Sequence, residues 1–291
     1  MSCVINPTKC TATAITASNK IAAWISSLLR IPLVDDKQLA MRALQSKQET
    51  VFLVNGMFGF CDFRKEIELL CANAKEVIWI GNDYMCKLPT HLKAHSSLRR
   101  IAQYDNFDGI SNHRLVDFNK LLFFDGAKRN YRNPGMFYYG AFRPNRIENF
   151  KTWFAQNEVP VHISTSQKNS SDFAAINRNA KIYKANGDIK KFIHFFQSSI
   201  YMEDRVPAKI QYTPANRFYE VIGSKVLLLY DIQAKGTLSR AGYWDDIFCV
   251  SSPAEYAQKL KQSESLREKQ IEMFRGRDFK AELNREFLAA L

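Results

Sequence analysis

The sequence predicts an α/β protein built from two doubly wound parallel-sheet domains, and three observations carry that expectation. Short apolar runs alternate with segments of helical period, the arrangement that builds parallel sheets through crossover helices. The alternation stops at a polar, basic, proline-terminated stretch, Ala127–Pro134 (AKRNYRNP), and then begins again. The boundary is therefore expected near residue 130, with one domain over 1–130 and a second over 131–291. The chain has 291 residues, 46% of them hydrophobic and 24% charged, which is enough material for two cores.

In the first half, Ile21–Leu29 and Lys37–Ala43 read as helices. The first clear strand is Thr50–Val54 (TVFLV), followed by Asn55-Gly56-Met57-Phe58-Gly59. Phe63, Ile67, Leu70, Cys71 and Ala74 then mark one apolar face of a helix. A strand over Glu76–Ile80 (EVIWI) ends in Gly81-Asn82-Asp83. A helix around Leu92–Arg99, a strand near Arg100–Tyr104, the loop Asp105–His113 and an apolar run at Leu121–Phe124 complete the domain. In doubly wound sheets the loops at the carboxyl ends of strands carry ligands. Here those are Asn55–Gly59, Gly81–Tyr84 and Asp105–Gly109.

In the second half a strand ends in Phe137–Tyr139 and meets Gly140. Ile147, Phe150, Trp153 and Phe154 then set a helical stripe over Asn145–Ala155, with Pro144 suited to its first turn. Strand Val159–Ser164, the polar loop Thr165–Ser171 and strand Lys181–Tyr183 follow. Ile189, Phe192, Ile193 and Phe196 fall at i, i+3, i+4 and i+7, which predicts a helix before strand Ser199–Met202. The segment Thr213–Asp231 (TPANRFYEVIGSKVLLLYD) gives a short helix, Gly223 as its stop, and the strand Val226–Tyr230. A strand at Ile247–Val250 leads into helices from Pro253 onward.

The charge balance narrows the partners. Lysine and arginine number 41 against 29 acids, a net charge of +12 that suits a polyanion or an anionic surface. No apolar leader and no membrane-length run is present, so the expected location is the cytoplasm, that of a host cell if the chain is phage-encoded. Six cysteines without C-x-x-C spacing read as free thiols. His91 and His95 lack a nearby acid at metalloprotease spacing, so no metal site and no bound cofactor is expected.

Chemistry gathers in two places. The stretch Met136–Arg146 (MFYYGAFRPNR) is a strand, a glycine-containing loop and a helix start, which together present backbone amides to a phosphate. Arg143 and Arg146 add charge-assisted contacts, and an ordinary strand-to-helix turn with solvated arginines explains the same residues. The second place is Asn216-Arg217-Phe218-Tyr219-Glu220 with Gly223 and an apolar strand behind it.

Together these features resemble GT-B type glycosyltransferases, in which two Rossmann-like domains face each other across a cleft. The Tyr139-Gly140-x-x-Arg143 turn is similar to the family's donor-diphosphate loop. Glu220 is similar to its helix-borne, ribose-holding glutamate, and the terminal helices to the tail that crosses back to the first domain. No second glutamate completes a paired E-x7-E motif. The resemblance implies a nucleotide-sugar donor held by Asn55, Gly56, Gly140, Arg143, Arg146, Arg217 and Glu220, with no metal strictly required. Leaving-group charge would be met by Arg143, Arg146 and Arg217, and two ribose hydroxyls by Glu220.

An inverting transfer also needs a base for the acceptor hydroxyl. Asp83 (in GNDY) is the first candidate, with Asp105 (in YDNFDG), Asp62 and His113 behind it; each also reads as a turn or surface residue. For the acceptor, Arg114–Lys151 holds eight basic residues against three acids, with nine Phe or Tyr between them. That mixture suits double-stranded DNA with an extruded base. The best expectation is a glycosyltransferase similar to the bacteriophage enzymes that decorate hydroxymethylated pyrimidines. A glycosyltransferase of surface polysaccharide or lipid-linked glycan, and a non-catalytic nucleic-acid-binding protein on the same fold, stay open.

Overall fold

A computed structural model describes residues 2–5, 15–34, 48–54, 64–81, 95–103, 113–126, 133–155, 158–184, 189, 192–203 and 213–291. The chain divides into two compact units. Met1–Leu121 and Phe279–Leu291 belong to the first, and Leu122–Ala208 with Thr213–Asp278 to the second. The units part at Leu121, ahead of the expected boundary near 130, and the helix over Phe279–Ala290 belongs to the first unit, where the resemblance implied that the terminal helices return.

In the first unit, β1 (Cys3–Ile5), β2 (Leu33–Val34), β3 (Gln48–Val54), β4 (Ala74–Gly81), β5 (Leu98–Ala102) and β6 (His113–Leu115) form one sheet. Its order is β2-β1-β3-β4-β5-β6 and every pairing is parallel. Alternate residues of β3 point to opposite faces. Val51 and Leu53 pack with Ile67, Leu70 and Cys71 of α2 (Arg64–Ala72). Phe52 and Val54 pack on the other face with Ile21, Trp24 and Ile25 of α1 (Ile15–Leu29). Leu283 and Phe287 of the returning helix close that second face. The helix is fixed there by polar contacts as well. Trp24 Nε1 donates to Asn284 Oδ1 at 2.9 Å, and the buried Lys120 ammonium bonds Glu286 and lies 3.4 Å from Glu282.

In the second unit, β7 (Asn133–Tyr139), β8 (Val161–Thr165), β9 (Lys181–Lys184), β10 (Phe196–Tyr201), β11 (Leu227–Asp231) and β12 (Cys249–Val250) form another parallel sheet. Its order is β12-β11-β10-β7-β8-β9. The chain thus winds outward in one direction from β7 and in the other from β10. The gap between these two carboxyl ends is the switch point of the sheet, where such folds bind ligands. Tyr138, Phe142, Phe150, Phe154 and Phe173 build an aromatic core beside β7.

The helix expected over Ile189–Phe196 is not formed. Ile193–Phe195 is a single 3-10 turn and Phe196 opens β10. The rings of Phe192 and Phe196 lie 5.9 and 4.0 Å from that of Phe137, so packing onto the neighbouring strand overrides the local helical spacing. The run Leu92–Arg99, expected as a helix, ends in β5 from Leu98 onward. Asn133 and Pro134, assigned to the linker, begin β7. The short strands β1, β2 and β6 had no sequence signal of their own. Lys37–Ala43 lies outside the described residues. No helix among the described residues is long and apolar enough to cross a membrane.

Candidate functional site

The site forms where β7 and β10 end. β7 closes with Tyr138 and Tyr139, and the chain turns at Gly140 with φ +145°, a conformation open to glycine. A Cβ at that position would sit 2.9 Å from Arg217 Nη1 and 3.2 Å from Tyr138 Oη, so the glycine also keeps a guanidinium close to backbone. The turn is tied to the end of β8 at both of its polar groups. Gly140 N donates to Ser164 O at 3.1 Å, and Thr165 Oγ1 donates to Gly140 O at 2.8 Å. Arg143 then precedes a 3-10 turn, Pro144–Arg146, that continues into the helix α3 (Ile147–Phe150). Arg146 is buried, with Nη1 3.4 Å from Tyr138 Oη.

The facing residues come from α5 (Asn216–Gly223), which follows α4 (Ser170–Ile176) in the chain. Ala215 caps α5 with no side-chain hydrogen bond; its own N–H donates to Tyr201 Oη at 2.7 Å. Arg217 in the first turn donates to Met202 O at 3.0 Å, to Tyr139 O at 3.3 Å and to Tyr138 Oη at 3.3 Å. Its Cζ lies 5.0 Å from the centre of the Tyr138 ring, a cation–π contact. Its Nε is buried without a hydrogen-bond partner.

Glu220 stands one turn further along. Tyr139 Oη donates to its Oε2 at 2.5 Å. Burial, and then the charge of Glu220, push the Tyr139 phenol well above its ordinary range, so it stays a donor and Glu220 stays the acceptor. Behind this pair lies a second carboxyl, Glu203, just past the end of β10. It accepts from Tyr201 Oη at 2.7 Å and from Thr237 Oγ1 at 2.6 Å. Burial raises Glu203 to about 7, against the lowering effects of those two hydroxyls and of Arg217 and Arg240.

The structure therefore brings Gly140, Arg146, Arg217 and Glu220 together around Tyr138 and Tyr139, with Arg143 in the same turn as Arg146. Asn55, Gly56, Asp62, Asp83 and Asp105 lie outside the described residues. His113 is in β6. His95 Nε2 lies 3.1 Å from Ala74 O, a structural contact, and His91 is outside the described set. Glu203 was not singled out from sequence. An acid directly after a strand was the signal that marked Asp83, and Glu203 carries the same signal after Ser199–Met202. Among the described residues no group of three His, Cys, Asp or Glu side chains is placed to hold a metal ion.

No family model and no curated protein matches the chain. Solved structures do. The structure of T4 phage BGT in complex with UDP and Mn2+ superposes with a TM-score of 0.73 at 13% identity, covering 99% of each chain. The DNA modifying enzyme beta-glucosyltransferase, solved with and without uridine diphosphoglucose, gives 0.69 at 14%, over 99% of this chain and 98% of that one. AviGT4, a glycosyltransferase involved in avilamycin A biosynthesis, gives 0.53 at 12%, over 100% and 99%. At these identities the likeness is one of fold, and it runs the length of the chain. With its two six-stranded parallel sheets, the chain has the GT-B fold.

Proposed function

We propose that the chain is a glycosyltransferase that moves a sugar from a nucleotide-sugar donor to a hydroxymethylated base in DNA. The observation that carries this is the meeting of Arg146, Arg217 and Glu220 around Tyr138 and Tyr139 at a switch point. Glu220, held by Tyr139, takes the ribose hydroxyls. Arg143, Arg146 and Arg217, with the amides of the Gly140 turn, take the diphosphate. In the transfer, the acceptor oxygen forms a bond to the sugar's anomeric carbon as the bond from that carbon to the diphosphate oxygen breaks. The electron pair leaves with the diphosphate, and the guanidinium groups stabilise the charge that develops there. The hydroxyl proton passes to a carboxylate of the first unit, Asp83 or Asp105.

The acceptor reading rests on the net charge of +12 and the basic, aromatic segment Arg114–Lys151, and on the DNA-modifying activity named for the beta-glucosyltransferase of the same fold. The test is incubation with a panel of nucleotide sugars, UDP-glucose first, and duplex DNA carrying hydroxymethylated pyrimidines. A hexose mass added to the modified nucleoside is the expected result. Duplex binding should weaken steeply with salt, since counterion release sets the slope. Donor hydrolysis with no transfer to DNA would leave a glycosyltransferase of another acceptor. Neither hydrolysis nor transfer with any donor would remove the enzymatic reading.

A further inference from the structure

Glu203 has no part in the roles given above, yet its contacts lead directly to the donor residues. Its carboxylate accepts from Tyr201 Oη at 2.7 Å, and the same phenol oxygen accepts from Ala215 N at 2.7 Å. Ala215 is the cap of the helix that carries Arg217 and Glu220. A buried acid, a buried phenol and a helix-start amide thus form one chain from the end of β10 to the first turn of α5. A second chain runs through the backbone, since Arg217 Nη2 donates to the carbonyl of Met202, the residue before Glu203.

The carboxyl is buried, and its described neighbours come from three elements. Tyr201 faces it from β10, and Thr237 from the helix α6 (Lys235–Arg240). Arg240 of α6 and Arg217 of α5 act on it through charge. The amide of Asn149 on α3 donates to the Glu203 backbone carbonyl at 3.4 Å. Arg217 is therefore shared between two anions when a donor is bound: the diphosphate in the site and Glu203 behind it. A second negative charge drawn to one guanidinium makes the buried carboxylate harder to keep ionised.

We infer that Glu203 is a positioning residue of the donor site: through Tyr201 it fixes the start of the Arg217–Glu220 helix, and it takes up a proton when a nucleotide-sugar diphosphate engages Arg217. The inference rests on the donor reading. Its balance is simple, because no bond of the donor changes and the proton comes from solvent. The proton uptake must be mirrored in affinity, since binding that gains protons tightens as pH falls. The resting value of Glu203, about 7, puts that exchange near neutrality.

The experiment is calorimetry with UDP-glucose in two buffers of different ionisation enthalpy, followed across pH 6.5 to 8. A nucleotide sugar is a diphosphate diester and has no phosphate proton to exchange in that range. Wild type should take up on the order of 0.3–0.5 proton per donor bound near neutrality and lose up to about tenfold in affinity toward the alkaline end. Glu203→Gln should bind with no proton exchange and a flat profile. Tyr201→Phe, which keeps the acid but removes the link to Ala215, should keep the uptake and weaken binding at every pH. Equal proton numbers in wild type and Glu203→Gln would overturn the inference alone. A wild type that binds none of the nucleotide sugars tested would overturn the donor reading, and this inference with it.

Discussion

Tyr139 and Glu220 meet phenol to carboxylate at 2.5 Å across 81 positions of sequence, one from the end of a strand and the other from a helix turn. The bond holds a carboxylate in one orientation at the mouth of the switch point. Glu220→Ala should therefore weaken the nucleotide-sugar donor by about 1.5–3 kcal/mol, the range for hydrogen bonds to a charged group. Tyr139→Phe should weaken it less, because the acid remains and only its orientation loosens. Calorimetry with the donor on both variants and their double mutant measures the coupling. An unchanged dissociation constant in Glu220→Ala removes Glu220 from the ribose.

Arg217 should register in the chemical step instead. Charge on the leaving diphosphate is greatest in the transition state, so Arg217→Ala should lower kcat by about 10²–10³-fold, the loss typical of one oxyanion donor. Arg217→Lys should recover little. One ammonium cannot reproduce a planar fork that reaches Met202 O, Tyr139 O and Tyr138 Oη together. Steady-state kinetics decides it; a rise in KM with kcat intact would make Arg217 a ground-state contact only.

The base can be separated from the donor site in the same assay. Asp83→Asn should reduce transfer by ~10²–10⁴-fold while leaving donor affinity nearly unchanged. If Asp83→Asn is fully active, Asp105→Asn should show that loss.

Stability should depend on pH through Glu203. Its folded value, about 7, lies above its ordinary 4.5, so folding favours the protonated form. The stability it contributes is full below pH 4.5 and is lost as pH rises from there through 7. Glu203→Gln cannot follow that loss. The variant should gain on wild type between pH 5 and pH 8, by up to about 3 kcal/mol at the upper end. Thermal melts across that range provide the check, and parallel curves would show that the acid is equally solvated in both states.

Two glycines should respond oppositely to the same substitution. A Cβ on Gly223 would lie 2.3 Å from Phe124 O and 3.0 Å from Phe124 N, both backbone atoms, where the N–H of Gly126 already bonds Gly223 O at 2.8 Å. Gly223→Ala should destabilise by about 1–3 kcal/mol. Gly236 lies in α6 with nothing within 4 Å of an added Cβ, so Gly236→Ala should stabilise by about 0.5–1 kcal/mol. Denaturant melts of the two variants test this, and a neutral Gly223→Ala would mean that the 122–126 segment can shift away.

The residues of the candidate site were legible in the sequence because each carried a local signature. Gly140 followed an aromatic strand and preceded two arginines, and Glu220 rode a helix stopped by glycine before an apolar strand. Their meeting could not be read from either segment, since it depends on β7 and β10 being neighbours, a pairing of distant strands. Glu203 was hidden for a related reason: an acid after a strand looks solvated until Thr237, 34 residues on, arrives to help bury it. Periodicity misled at Ile189–Phe196, where a 3-10 turn followed by a strand placed apolar side chains at helical spacing. The three-residue strands at Cys3 and His113 were too short for any pattern to emerge.

The return of the Phe279–Ala290 helix to the first unit has a consequence for synthesis on the ribosome. Leu283 and Phe287 are fully buried against Trp24 of α1 and against Phe52 and Ile80 of a sheet translated long before them. Domains ordinarily fold as units in the order they emerge, amino-terminal first. Here α1 is already on that face of the sheet, but the part of it that Leu283 and Phe287 cover stays open while the second unit is translated, until residue 287 has been made. The nascent chain thus carries an exposed hydrophobic surface for most of its elongation, a natural handle for chaperones. The unit begun first is the one completed last.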